Sequence, residues 1–242
     1  MKITPEKIRK YIMSKDFISN VIFVLFLVFL RLTVLGNYTV PTGSMNPTIL
    51  EGDKFFANKL AYGFSVKFGM KFFGKPWVVK TDFVRWGTPK HGDIIAFLYP
   101  VDESIAFTKR VVGVPGDRIM VRDKRLYLNG KELSLRPLKE KDYKKYKVEQ
   151  LNEILFYEEN LSGIKHVVQH TKRPAPLDDF PEITIPEGYL FAMGDNRDNS
   201  SDCREWGLLP IQNVTGKLVL RWYSNEPGHI FKARFSRIGF IR

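Results

Sequence analysis

One stretch breaks the pattern of short apolar and polar runs that fills most of the chain. Val21 to Leu30 is an unbroken apolar run, led in by Phe17-Ile18-Ser19-Asn20 and resumed after Arg31 by Leu32-Thr33-Val34-Leu35. As a helix, residues 17–35 reach about 28 Å, close to the thickness of a hydrocarbon core. Arg31 falls near the far end, where its stem snorkels toward headgroups. Three readings compete. A buried core helix keeps one polar face, and Val21–Leu30 has none. A cleavable signal peptide fits the charged start, but Leu35-Gly36-Asn37-Tyr38 offers a poor small-x-small exit. The favoured reading is an uncleaved transmembrane anchor over 17–35. Residues 1–16 form a basic tail with a local charge of +3. The positive-inside rule puts that tail in the cytoplasm and residues 36–242 across the membrane.

Beyond the anchor the period changes to short β segments bounded by turn residues. Ile94 to Tyr99 lies between Gly92-Asp93 and Pro100, and Thr108 to Val114 stops at Pro115-Gly116-Asp117. Arg118 to Val121 leads to Arg125 to Leu128 and then to Asn129-Gly130, a strong hairpin signal. Tyr189–Met193 and Lys217–Tyr223 read as further strands. The pattern predicts a mainly β unit over 36–242. Residues 131–181 differ in texture and read as an inserted cap. They hold a lysine-dense run at Lys139–Lys147, taken as a solvated face, and a hairpin of Ile154–Tyr157 and Ile164–Val168 around Asn160–Gly163.

Composition narrows the class. The 242 residues are 44% hydrophobic, enough for a sizeable core and against a disordered chain. A net charge of +12 favours a polyanionic partner, nucleic acid or an anionic bilayer surface. Nucleic-acid binding expects basic residues gathered on one element with aromatics for bases, and here the charge is spread. A lone cysteine, Cys203, removes a disulfide framework and a Cys-based zinc site. His91, His166, His170 and His229 fall in no metal-binding spacing, so neither a metal nor another cofactor is expected.

Candidate chemistry sits in separate stretches. Directly after the anchor comes Pro41-Thr42-Gly43-Ser44-Met45-Asn46-Pro47-Thr48. A serine held between prolines with a glycine before it suits a nucleophile whose backbone N–H faces an oxyanion, although an ordinary loop has the same composition. Lys109 lies among apolar neighbours in Phe107–Asp117. If it faces the core, desolvation lowers its pKa and it serves as a base; if alternation turns it outward, it is a surface lysine. Gly194 to Gly207 is dense in short polar residues, which suggests a buried hydrogen-bonded network, or more weakly a calcium loop.

Together, PTGSMNPT, TKRVVGVPGD and GDNRDNSSDCREWG, with His91–Phe97 and the C-terminal Ser236-Arg237-Ile238-Gly239, resemble the type I signal peptidases in content and order. The resemblance spans nearly the whole chain and covers 131–181 only loosely. It implies a membrane-bound serine endopeptidase that removes signal peptides from exported pre-proteins, with a β-rich catalytic domain and a smaller inserted β region. It implies Ser44 as nucleophile and Lys109 as general base. Thr42 would assist the Ser44 N–H in the oxyanion hole, Ser200 would orient the lysine amine, and Asp202 and Arg204 would support the site. Tyr38, Val40, Met45, Ile49, Ala96, Phe107 and Thr108 match substrate-pocket walls that select small side chains. The implied partners are signal peptides, anionic phospholipids and, transiently, the protein-export machinery. The implied location is the cytoplasmic membrane with the catalytic domain outside. Phe68, Met70, Phe72, Phe73 and Trp77, with Lys71 and Lys75, are candidates to dip into the interface or to belong to the core. A related Ser/Lys processing peptidase of conjugation or organellar type is the alternative within the same fold. A self-cleaving repressor would carry a DNA-binding helix-turn-helix where the anchor stands. A non-catalytic binding protein of this fold would lack Ser44 or Lys109.

Overall fold

The computed structural model describes residues 14–139, 153–229 and 232–241. The basic tail up to residue 13 and most of the lysine run at 139–147 lie outside the described residues. Ser14 caps the first helix, its Oγ accepting the Phe17 N–H at 3.2 Å, and α1 runs from Lys15 to Thr33. The helix stops short of the expected residue 35 because its last carbonyls find partners elsewhere. Lys59 Nζ donates to Leu32 O at 2.9 Å and the Lys59 N–H to Val34 O. Leu35 already belongs to β1 (Leu35–Thr39), paired antiparallel with β2 (Asp53–Asn58). From Ile22 to Phe29 the side chains are 47–62% exposed, whereas a core helix would bury them. The helix is long and apolar enough to cross a membrane.

A long hairpin follows, β3 (Gly63–Phe72) and β4 (Lys75–Arg85), with Phe73 and Gly74 at positive φ in its tip. Then come β5 (Ile94–Leu98), β6 (Ala106–Gly113), β7 (Arg118–Arg122), β8 (Arg125–Leu128) and β9 (Lys131–Glu132). Asn129-Gly130 makes the expected turn between β8 and β9, both residues at positive φ. The chain continues with β10 (Ser134–Pro137), β11 (Ile154–Leu161), β12 (Ile164–Thr171), β13 (Phe180–Thr184) and β14 (Tyr189–Met193). A short α2 (Cys203–Trp206), β15 (Leu209–Pro210), β16 (Val214–Ser224) and β17 (Gly239–Phe240) complete it.

The principal sheet has the order β1-β2-β16-β5-β6-β14-β15, with β17 on β16. The central β5 is buried on both faces, which is why Ile94–Leu98 reads as a continuous apolar run. Ile95 and Phe97 join a core with Val111, Ile119, Leu126 and Phe191; Ile94 and Ala96 join the opposite one with Met45, Ile49, Phe55 and Leu218. The segment 131–181 supplies β10-β11-β12, but its two ends belong to the β13-β7-β8-β9 sheet, so strand pairing crosses both its boundaries. Cys203 opens α2 rather than standing in a loop. It is a buried free thiol whose Sγ accepts the Ala192 N–H at 3.1 Å.

Candidate active site

Ser44 sits in a 3₁₀ turn, Gly43–Met45, directly after the exit from β1. Two contacts from Asn196 fix that turn: its N–H donates to Ser44 O at 3.1 Å and its Nδ2 to Gly43 O at 3.0 Å. No hydrogen bond of the Ser44 N–H is seen among the described residues, so that donor is open to an incoming oxyanion. Lys109 is on β6, in register with Ile95, and is 3% exposed. Its side chain therefore faces the core rather than solvent. A 2.7 Å hydrogen bond joins its Nζ to Ser44 Oγ. Burial lowers the Lys109 pKa to about 8, with Asp202 and Asp195 pulling it back up.

Behind the pair, the polar run after β14 is an ion-pair network. Arg110 grips Asp195 through Nε and Nη2 at 2.8 and 2.7 Å. Arg197 grips Glu159 of β11 in the same bidentate manner, at 2.7 and 2.5 Å. Arg204 grips Asp202 at 2.9 and 2.8 Å, and Asp202 also accepts the Gly194 N–H at 3.1 Å. Burial raises the Asp202 carboxyl, but Arg204 and Gly194 outweigh it and hold it below the usual range. Asp198 takes Lys124 Nζ and the Thr171 N–H and hydroxyl. Each aspartate of this run is thus matched by a cation, which favours the hydrogen-bonded network over the calcium loop.

A groove of about 640 Å³ opens over Ser44 and Lys109. Tyr38, Val40 and Thr42 line one side, and Phe107 and Thr108 the other. Thr42 Oγ1 lies 3.5 Å from Ser44 Oγ, at the limit of a hydrogen bond. Ser200 is buried behind the site, and its hydroxyl closes no hydrogen bond of ordinary geometry, with Lys109 or otherwise, although it lies near enough to Asp202 to help lower that carboxyl. Met45, Ile49 and Ala96 are not among the residues lining this groove; all three are fully buried in a core shared with Val40.

Sequence reasoning did not single out Asn196, Arg110, Asp195 or Glu159. The density of polar residues after a hydrophobic strand signals the network, but the partner on β11 is remote in sequence and has no local mark.

The chain matches the family model described as "Signal peptidase, peptidase S26" over residues 14–223. It is 32% identical to Signal peptidase I of Pseudomonas aeruginosa, over 98% of this chain and 82% of that protein. It is 35% identical to Signal peptidase I of Rickettsia massiliae, over 81% of this chain and 74% of that protein. A crystal structure of a signal peptidase I from Enterococcus faecalis V583 aligns with a TM-score of 0.33 and 29% identity, covering 54% of this chain and 96% of that one.

Proposed function

The chain belongs to the signal peptidases of family S26, serine endopeptidases that release signal peptides from pre-proteins, and we propose that Ser44 is its nucleophile and Lys109 its general base. The observation that carries this reading is the 2.7 Å contact between a core-facing lysine and the serine hydroxyl. With a pKa of about 8, on the order of a tenth of the Lys109 amines are neutral at pH 7. Neutral Nζ takes the Ser44 proton as Oγ attacks the scissile carbonyl. The Ser44 N–H, with Thr42 Oγ1 beside it, receives the developing oxyanion. The Lys109 ammonium then protonates the leaving amine, and water activated by the same amine releases the acyl-enzyme. Ser200, Asp202 and Arg204 are positioning residues in this scheme. They hold the loop that packs against Ser44, and Asp202 tempers the Lys109 pKa.

The substrate binds as an extended segment between two unpaired edges. β1 ends the principal sheet, and β14 pairs with β6 only at 110–113, so 106–108 has a free edge. A strand laid there places alternate side chains against Tyr38 and Val40 and against Phe107 and Thr108. Small apolar residues at the first and third positions before the cut suit that space.

The N-terminal helix is a single membrane anchor, as befits a membrane signal peptidase. Its N-terminus lies in the cytoplasm, and residues 36–242 form one catalytic unit on the outer face. The β3–β4 hairpin rests on the same lipid surface. Phe64 links Phe29 of the anchor at 6.4 Å to Phe83 at 5.2 Å, ring to ring. Beyond them Met70, Phe72, Phe73 and Trp77 are 44–92% exposed, with Lys71 and Lys75 for anionic headgroups and half-buried Phe68 at the root. The groove then meets pre-proteins as the export machinery delivers them. The purified full chain is expected to convert a pre-protein to its mature form in detergent, and Ser44→Ala to leave it uncut. Cleavage by Ser44→Ala at the parent rate would exclude the assignment.

A further inference from the structure

A second cavity, of about 240 Å³, shares no lining residue with the groove. Thr48, Lys165, His166, Arg221, Arg237 and Phe240 line it, and none of the residues around it is acidic. Behind it, Arg221 and Arg237 pair with Asp53, which is fully buried, and Asp195, held by Arg110, interacts with Thr48 and His166. Arg237 reaches Asp53 at 2.7 Å, Arg221 at 3.2 Å and Arg234 at 3.5 Å. Among the described residues, Asp53 is the one carboxylate within ion-pair distance of these three guanidinium groups. Glu159 does not supply a second. Arg197 takes both its oxygens, and His166 Nε2 stands 3.3 Å away. Glu158 is 3.8 Å from Lys165 and is shared with Arg136 at 3.2 Å.

Among the described residues, Arg221 Nε and His166 Nδ1 are buried behind the wall without a hydrogen bond, the side chains being 12% and 1% exposed. Buried polar atoms of this kind are rarely left unsatisfied. Burial, with Arg237 alongside, lowers the Arg221 guanidinium to about 10, although Asp53 pulls it back up.

We propose that this cavity is a binding site for a phosphoryl oxyanion, held by Arg221 and Arg237 with Lys165 and His166 completing the cage. The planar guanidinium forks, with the Lys165 ammonium beside them, match a tetrahedral anion with several acceptor oxygens. Phe240 and Phe235, 79% and 73% exposed, give the neighbouring surface an apolar character that suits a phospholipid headgroup as well as the free ion. Arg221 and Arg237 also donate to Thr48 O, at 3.4 and 3.2 Å, so the occupied site stiffens the loop that follows the nucleophile.

The test uses the full chain in neutral-detergent micelles, titrated with inorganic phosphate against chloride at constant ionic strength and followed by calorimetry and thermal melting. Saturable phosphate binding with a rise in melting temperature is expected. Arg237→Gln should abolish it. Because Arg237 also holds Asp53, Lys165→Glu serves as the second variant, its side chain being 66% exposed and outside the core. It should weaken binding by about fivefold or more, the size of one exposed charge. Short-chain phosphatidylglycerol added to the micelles distinguishes the sources: displacement of phosphate identifies a lipid headgroup, and no displacement identifies the free ion. The absence of saturable binding by either probe, or binding unchanged in Lys165→Glu, would overturn the site.

Discussion

In the proposed mechanism Lys109 can serve as the base because its burial costs more than its acidic neighbours return. Its pKa of about 8 lies below the ordinary 10.5, so the rate of acylation should fall about tenfold per pH unit as pH drops below 8. A rate constant flat through that range, with acylation limiting, would contradict the role. The same shift sets a stability dependence of known sign. Between about 8 and 10.5 the unfolded chain holds more protons at this site than the folded one, so the group's contribution to stability rises with pH. Lys109→Met should therefore lose at least about three orders of magnitude in kcat. It should also melt above the parent below pH 8, with the gap closing toward pH 10.5. Ser44 and Lys109 were legible because rigid local surroundings mark one and apolar neighbours the other. Alternation alone left Lys109 equally free to face solvent. Its pairing with Ile95 across the sheet decided the matter.

At the scale of elements, the 194–204 segment is the frame of the site. Gly194 lies so close to the nucleophile turn that a Cβ there would stand 2.3 Å from Ser44 O and 2.2 Å from Ser200 Oγ. Gly194→Ala should thus displace the nucleophile and cost on the order of a hundredfold in kcat/KM, measured on a short peptide substrate, while circular dichroism stays that of the parent. Arg204→Ala leaves Asp202 as an uncompensated buried charge and should cost about 3–5 kcal/mol in denaturant unfolding. The strand pattern itself was largely readable, since β5, β6, β8 and β14 are short apolar runs between turn residues. The β3–β4 hairpin was not, because its alternation is blurred by aromatics on an exposed surface. The end of α1 was missed because the apolar run continues past Thr33. Lys59, not hydropathy, ends the helix.

At the scale of the whole molecule, the N-terminal helix is joined directly to the sheet that carries the groove. No linker separates α1 from β1, and Lys59 ties the last helical turn to the body of the fold. On the proposed function, this short connection keeps Ser44 close to the bilayer surface, where a membrane-bound pre-protein would present its cleavage site. If the β3–β4 tip rests on the same surface, Phe72→Glu with Phe73→Glu should slow cleavage of a pre-protein in anionic vesicles several-fold. Hydrolysis of a short soluble peptide by that variant should not change. Equal losses on both substrates would refute the interfacial reading.

The sequence by itself determined what depends on neighbours along the chain: the anchor, the strand run, the turn at Asn129-Gly130, and the serine and lysine stretches in family order. Only the tertiary structure decided which side chains meet across the fold. It placed Met45, Ile49 and Ala96 in a core shared with Val40. It brought Glu159 to Arg197 and Asn196 to Ser44. It gathered Arg221, Arg234 and Arg237 around Asp53. The reason is physical: periodicity reports which face of an element is buried, whereas charge pairing and desolvation act through space between segments that no local pattern relates.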